Sequence, residues 1–83
     1  MNSIVYINGK FYNSSDAKID FYDSGFMFGY GLFETIRFNK NTLFKIDEHL
    51  NRLRQGLNQI QLDANYSKIF ITDCIIQLIK KNN

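Results

Sequence analysis

The chain has 83 residues and a mass of 9.8 kDa, which allows one small domain with a modest core. Hydrophobic residues make up 45% and charged residues 22%, a globular balance that excludes a disordered chain. A net charge of +2 gives no argument for nucleic acid or an anionic membrane.

The single cysteine, Cys74, excludes an internal disulfide framework and a cysteine-rich zinc site. No metal site is expected, and a reduced cytoplasmic compartment is. The N-terminus has neither the basic start nor the apolar core of a signal peptide. No apolar run approaches membrane-spanning length. Thirteen aromatic residues, eight Phe and five Tyr, are many for so small an interior. Some are expected to face a partner or another domain.

The first expected element is a hairpin. Ile4-Val5-Tyr6-Ile7 is β-branched and aromatic, Asn8-Gly9 suits a tight turn, and Lys10-Phe11-Tyr12 returns. Asn13 to Asp16 is a polar turn, and Ala17 to Phe21 a short extended piece in which Ile19 and Phe21 alternate with polar residues. Residues 23–31 carry three glycines among large apolar side chains, and suit neither a regular helix nor a regular strand. Gly25, Gly29 and Gly31 do not form a nucleotide-binding signature, so a tight turn is the expectation.

A second hairpin is expected over 32–44, with strands Leu32–Phe38 and Thr42–Phe44 around Asn39-Lys40-Asn41. Asp47 is the expected N-cap of the first helix. Ile46, Leu50, Leu53, Leu57 and Ile60 then recur on one helical face. After a break at 61–65, Asn65 is expected to cap a second helix from Tyr66 to Lys81. That helix is apolar on more than one face and needs further cover. Strands first and helices after give an α+β fold: antiparallel β-hairpins followed by two helices.

His49, the only histidine, reads as a hydrogen-bonded structural residue. Arg52 and Arg54 lie off the apolar stripe and read as solvated. Glu34 and Arg37 sit in a strand that is otherwise largely apolar, where a charge usually has a partner. Arg37 is a candidate anion ligand, since a guanidinium presents a fork matched to carboxylate or phosphate.

The segments VYINGKF, DSGFMFGYGLFETIRF and KIDEHLNRLRQGLNQI, in that order, resemble the N-terminal domain of the class IV, fold type IV, pyridoxal-phosphate enzymes. Branched-chain aminotransferase, D-amino acid aminotransferase and aminodeoxychorismate lyase belong to that family. The match spans nearly the whole chain and is strongest from Asp23 to Leu57. It implies pyridoxal phosphate as cofactor, a small amine or amino acid as substrate, and a homodimer. By this resemblance Arg52 holds the cofactor phosphate, and Phe33 walls the substrate pocket. Glu34 lies near the cofactor, and Arg37 meets a substrate carboxylate or Glu34. Phe28 reaches the neighbouring subunit's pocket.

Ser24 and Tyr30 stand where many relatives carry Arg and Asp, which bears on the substrate subgroup. None of the seven lysines matches the family's cofactor-anchoring lysine, which lies in a larger C-terminal domain. The expectation is therefore that 1–83 is a single small N-terminal domain, with no catalytic residue of its own and inactive alone. Of the activities implied, aminodeoxychorismate lyase, which forms 4-aminobenzoate and pyruvate, is favoured slightly over a branched-chain or D-amino acid aminotransferase. A non-catalytic interaction module that uses the aromatic surface is the alternative from another class.

Overall fold

A computed structural model describes residues 3–23, 27–29, 31–40, 42–62 and 66–82. The fold is α+β, and the regular elements fully within the described residues are two antiparallel hairpins followed by two helices. It divides into two compact units, Met1–Gly31 with Asp73–Asn83, and Leu32–Thr72.

In the first unit β1 (Ile4–Ile7) pairs with β2 (Lys10–Asn13), in the register Ile4↔Asn13 through Ile7↔Lys10. The turn is Asn8 at φ 49° and Gly9 at φ 92°, two left-handed positions that the Asn-Gly pair tolerates. Tyr6 and Phe11 face each other across the strands, edge to face at 5.1 Å. A 3-10 turn, Ser14–Asp16, follows. Residues 17–20 form no paired strand; Ala17 is extended, and Ile19 and Phe21 are exposed. Asp20 builds a turn instead: its side chain accepts from the Tyr22 amide at 2.8 Å and its carbonyl from Asp23 at 3.0 Å. Met27 and Phe28 are helical, with the Met27 amide donating to the Asp23 carbonyl at 2.9 Å, where the sequence suggested no helix; Gly29 follows at φ 65°, while Ser24, Gly25 and Tyr30 lie outside the described residues.

The second unit departs most from expectation. The strand expected over Leu32–Phe38 is reduced to β3 (Phe38–Asn39), paired with β4 (Thr42–Leu43). The physical reason is the missing partner. A strand exists only where its backbone groups are paired, and the ladder found here ends with the Phe44 amide on the Arg37 carbonyl at 2.8 Å. Residues 33–37 still alternate, with Phe33, Thr35 and Arg37 exposed and Glu34 and Ile36 half-buried. The segment has strand-like periodicity without a strand's ladder.

Helix α1 (Ile46–Gln59) begins one residue before the expected cap. Lys45, left-handed at φ 54°, occupies the cap position, and its carbonyl accepts from the His49 amide. Asp47 and Glu48 lie in the first turn, where the helix dipole favours them. The expected apolar stripe is the inner face, with Leu50 only 4% exposed. The helix ends in a Schellman arrangement: Leu62 donates to the Leu57 carbonyl at 2.9 Å and Gln61, at φ 57°, to Asn58 at 3.2 Å. Helix α2 (Lys68–Asn82) is capped by Ser67, whose hydroxyl accepts from the Phe70 amide at 3.1 Å. Asn65, the expected cap, lies outside the described residues, and the helix starts two residues later than expected. Ile79, 8% exposed, is the buried residue among the described residues of its unit. Ile69 remains exposed, so the broad apolar cover of α2 is only partly used. No helix among the described residues is long and apolar enough to cross a membrane.

Candidate functional site

The site grows from α1. His49 and Arg52 are three residues apart and therefore share one helical face. Opposite them runs the extended segment 32–37, brought close at one point by Gly56. A Cβ on Gly56 would lie 2.8 Å from Leu32 Cδ1, so the Leu32 side chain packs directly over the bare backbone at Gly56. Strand-like alternation then turns Glu34 inward and leaves Phe33 outward, at 88% exposure.

Glu34 receives three hydrogen bonds. Arg52 Nε donates to Oε2 at 2.9 Å, and Arg52 Nη2 donates to Oε1 at 2.8 Å. His49 Nδ1 lies 2.7 Å from Oε1. An ionised carboxylate only accepts, so the imidazole proton sits on Nδ1. The Glu34 side chain is 10% exposed, while that of Arg52 is 71% exposed. The Arg52 bonds, followed by the His49 bond, hold the Glu34 carboxyl down at about 2. The same pairing raises the affinity of Arg52 for its proton.

A guanidinium has five N–H donors. Glu34 occupies Nε and one of those on Nη2, and Nη1 has no partner among the described residues. The remaining edge borders two shallow hollows. One, of about 250 Å³, is lined by Lys45, Glu48, His49 and Arg52. The other, of about 230 Å³, includes Phe33, Glu34, Arg52 and Gln59. A phosphate dianion fits the chemistry of this donor edge, which offers parallel N–H groups to water. A larger groove of about 550 Å³ is walled by Leu57, Leu62, Tyr66 and Ile71, with Arg54 and Lys68 also on its lining, and none of Glu34, His49 and Arg52 borders it.

Glu34, Phe33 and Arg52 are thus brought together. Arg37 is not part of this cluster: it is exposed and makes no ion pair with a described residue. Residues 34 and 37 fall on opposite sides of an extended backbone, so Arg37 cannot be the partner of Glu34 that the sequence suggested. Phe28 belongs to the first unit and is 78% exposed. His49 is the residue whose part in the cluster sequence reasoning missed. The available signal was its three-residue spacing from Arg52.

D-alanine aminotransferase of Staphylococcus epidermidis is 39% identical over 79 residues, covering 95% of this chain and 28% of that protein. The D-alanine aminotransferase of Staphylococcus haemolyticus is 38% identical over 79 residues, with the same coverage. Aminodeoxychorismate lyase of Bacillus subtilis is 34% identical over 80 residues, covering 96% of this chain and 27% of that protein. The chain thus spans little more than a quarter of the length of these relatives. The profile of the amino-transferase class IV family matches residues 31–83, well over half the chain and all of the Glu34, His49 and Arg52 cluster. With a family match of that extent and relatives at this identity, the chain belongs to the class IV aminotransferase family.

Proposed function

We propose that this chain is the N-terminal part of a pyridoxal-phosphate-dependent enzyme in which Arg52 anchors the cofactor phosphate. The observation that carries this reading is the Arg52 guanidinium, fastened on one edge by Glu34 and open on the other. When bound, pyridoxal phosphate supplies an electron sink that stabilises negative charge on the carbon bearing the substrate amine. The residues of this chain bind and orient. Arg52 takes phosphate oxygens through Nη1 and Nη2. Phe33 walls the substrate pocket, and Arg37, which makes no ion pair with a described residue, receives a substrate carboxylate. The anchoring, proton-moving lysine belongs to a C-terminal domain outside this chain. The enzyme is a homodimer, with exposed Phe28 turned to the neighbouring subunit.

The substrate class we favour is a D-amino acid, its amino group passing to a 2-oxo acid. Similarity to D-alanine aminotransferases at 36–39% identity supports this over the lyase that the sequence alone slightly favoured. The 34% identity to the Bacillus subtilis lyase keeps a second reading, formation of 4-aminobenzoate with release of pyruvate. Assay of the intact protein separates them: pyruvate from D-alanine with 2-oxoglutarate as acceptor, or 4-aminobenzoate from aminodeoxychorismate.

The anchor is tested by equilibrium binding of pyridoxal phosphate to the intact protein. Arg52→Ala should weaken affinity about ten- to a hundred-fold, the worth of a charge-assisted contact. Arg52→Lys should recover part of it, keeping the charge without the fork. Arg54→Ala is the control and should bind as the parent does. Equal affinity for Arg52→Ala and Arg54→Ala would overturn the assignment.

A further inference from the structure

We infer that Glu34 and His49 are positioning residues, which set the direction in which Arg52 presents its open edge to an anion; this rests on the reading of Arg52 as a phosphate anchor. The Arg52 side chain is long and 71% exposed, so by itself it would sample many rotamers. Two bonds to one carboxylate, at 2.9 and 2.8 Å, fix the plane of its guanidinium and turn Nη1 outward. The carboxylate is fixed in turn. His49 holds Oε1 at 2.7 Å from the same helical face, and the Glu34 side chain is largely buried. The order of dependence runs from His49 to Glu34 to Arg52, and of the three it is Arg52 whose N–H donors are left for an anion.

This arrangement works against simple charge attraction. A carboxylate beside an anion site repels the anion. A site selected for charge alone would omit Glu34. Its presence, with both oxygens engaged, indicates that direction is worth more here than the lost attraction. The two effects therefore predict opposite signs for one isosteric change. Removing the charge with Glu34→Gln tightens phosphate binding if attraction governs. It weakens binding if positioning governs, because an amide presents only one acceptor to the two Arg52 donors.

The test compares the dissociation constants of pyridoxal phosphate and of pyridoxal, which lacks the phosphate, on the intact protein. Glu34→Gln is expected to weaken pyridoxal phosphate about tenfold and to leave pyridoxal unchanged. His49→Leu should do the same to a smaller degree, and His49→Asn, which keeps an N–H donor near the Nδ1 position, should recover part of the loss. The double variant Glu34→Gln with Arg52→Ala should bind no worse than Arg52→Ala alone, since residues acting through one contact are not additive. A readout on the chain itself keeps the inference falsifiable without a cofactor. The Arg52 Nε–H should give a distinct, slowly exchanging resonance that Glu34→Gln abolishes. If Glu34→Gln binds pyridoxal phosphate as tightly as the parent, or more tightly, while Arg52→Ala binds weakly, this inference falls and the anchor stands. If Arg52→Ala keeps full affinity, the anchor falls and takes this inference with it.

Discussion

The hairpin of the first unit and the extended stretch 32–44 of the second begin from similar composition, yet they are ordered by different forces. The first is held by its backbone, with four registered pairs closed by the Asn8-Gly9 turn. Its outer edge is fastened at one point, where the Asn82 amide accepts from the Ile4 N–H at 2.7 Å and donates to the Ile4 carbonyl at 2.9 Å. Lys81 lies over the Phe11 ring at 4.8 Å. The second stretch has two registered pairs at its far end. Its near end is held by side chains, through Glu34 on α1 and Leu32 against Gly56. A segment of strand-forming residues without a backbone partner can thus still be placed by a single carboxylate, and here that carboxylate belongs to the candidate site.

Acid should separate the two regions most sharply. The Glu34 carboxyl titrates at about 2 in the folded chain, below its unfolded value of about 4.3. A lowered folded pKa contributes stability that is complete above the unfolded value and is lost as pH falls through the folded one. Between pH 4 and 2 the Glu34 contacts should therefore let go, while the first hairpin, whose ties are backbone amides, keeps its cross-strand contacts. Carbon-13 shifts of the Glu34 carboxyl and nuclear Overhauser contacts between Tyr6 and Phe11 follow both events in one titration. A Glu34 carboxyl titrating near 4.3 would show that the Arg52 tie is absent.

The reverse perturbation is Gly9→Val. At φ 92° a β-branched residue is strained, at a cost of about 2 kcal/mol to the first hairpin. Its thermal midpoint should fall while the Arg52 Nε–H signal is unchanged. A loss of both together would mean the regions are not separately ordered. The smallest effect expected is that of Asn82→Ala, about 1 kcal/mol, because the Ile4 groups it frees at the strand edge are taken up by water. Amide exchange at Ile4 should speed up, with exchange in β2 following less. Unchanged exchange at Ile4 would refute the fastening role.

Much of this was legible locally. The Asn8-Gly9 turn needs two residues that accept positive φ, and the neighbouring β-branched and aromatic residues supply the strands. The spacing of Ile46, Leu50, Leu53 and Leu57 needs only helical geometry to become an inner face. Illegible were features that have no local signature. Lys45 and Gln61 take left-handed conformations without being glycine, because their neighbours' hydrogen bonds require it. Ser67 caps α2 where Asn65 was expected, and local preference could not separate them because both residue types suit that role. Arg37, which the resemblance offered to a substrate carboxylate or to Glu34, falls on the opposite side of the extended backbone from Glu34.

By itself, the sequence determined the fold class, the first hairpin, both helices and the presence of Arg52 within Glu48-His49-Leu50-Asn51-Arg52-Leu53, because each depends on interactions within a few residues. Only the tertiary structure decided where the charges meet. Glu34 lies 15 residues from His49 and 18 from Arg52 along the chain. No periodicity of three or two connects such positions. Their meeting depends on the 32–37 segment lying against α1, where Leu32 packs over Gly56, and on which way residue 34 turns, which is set by the parity of an extended backbone.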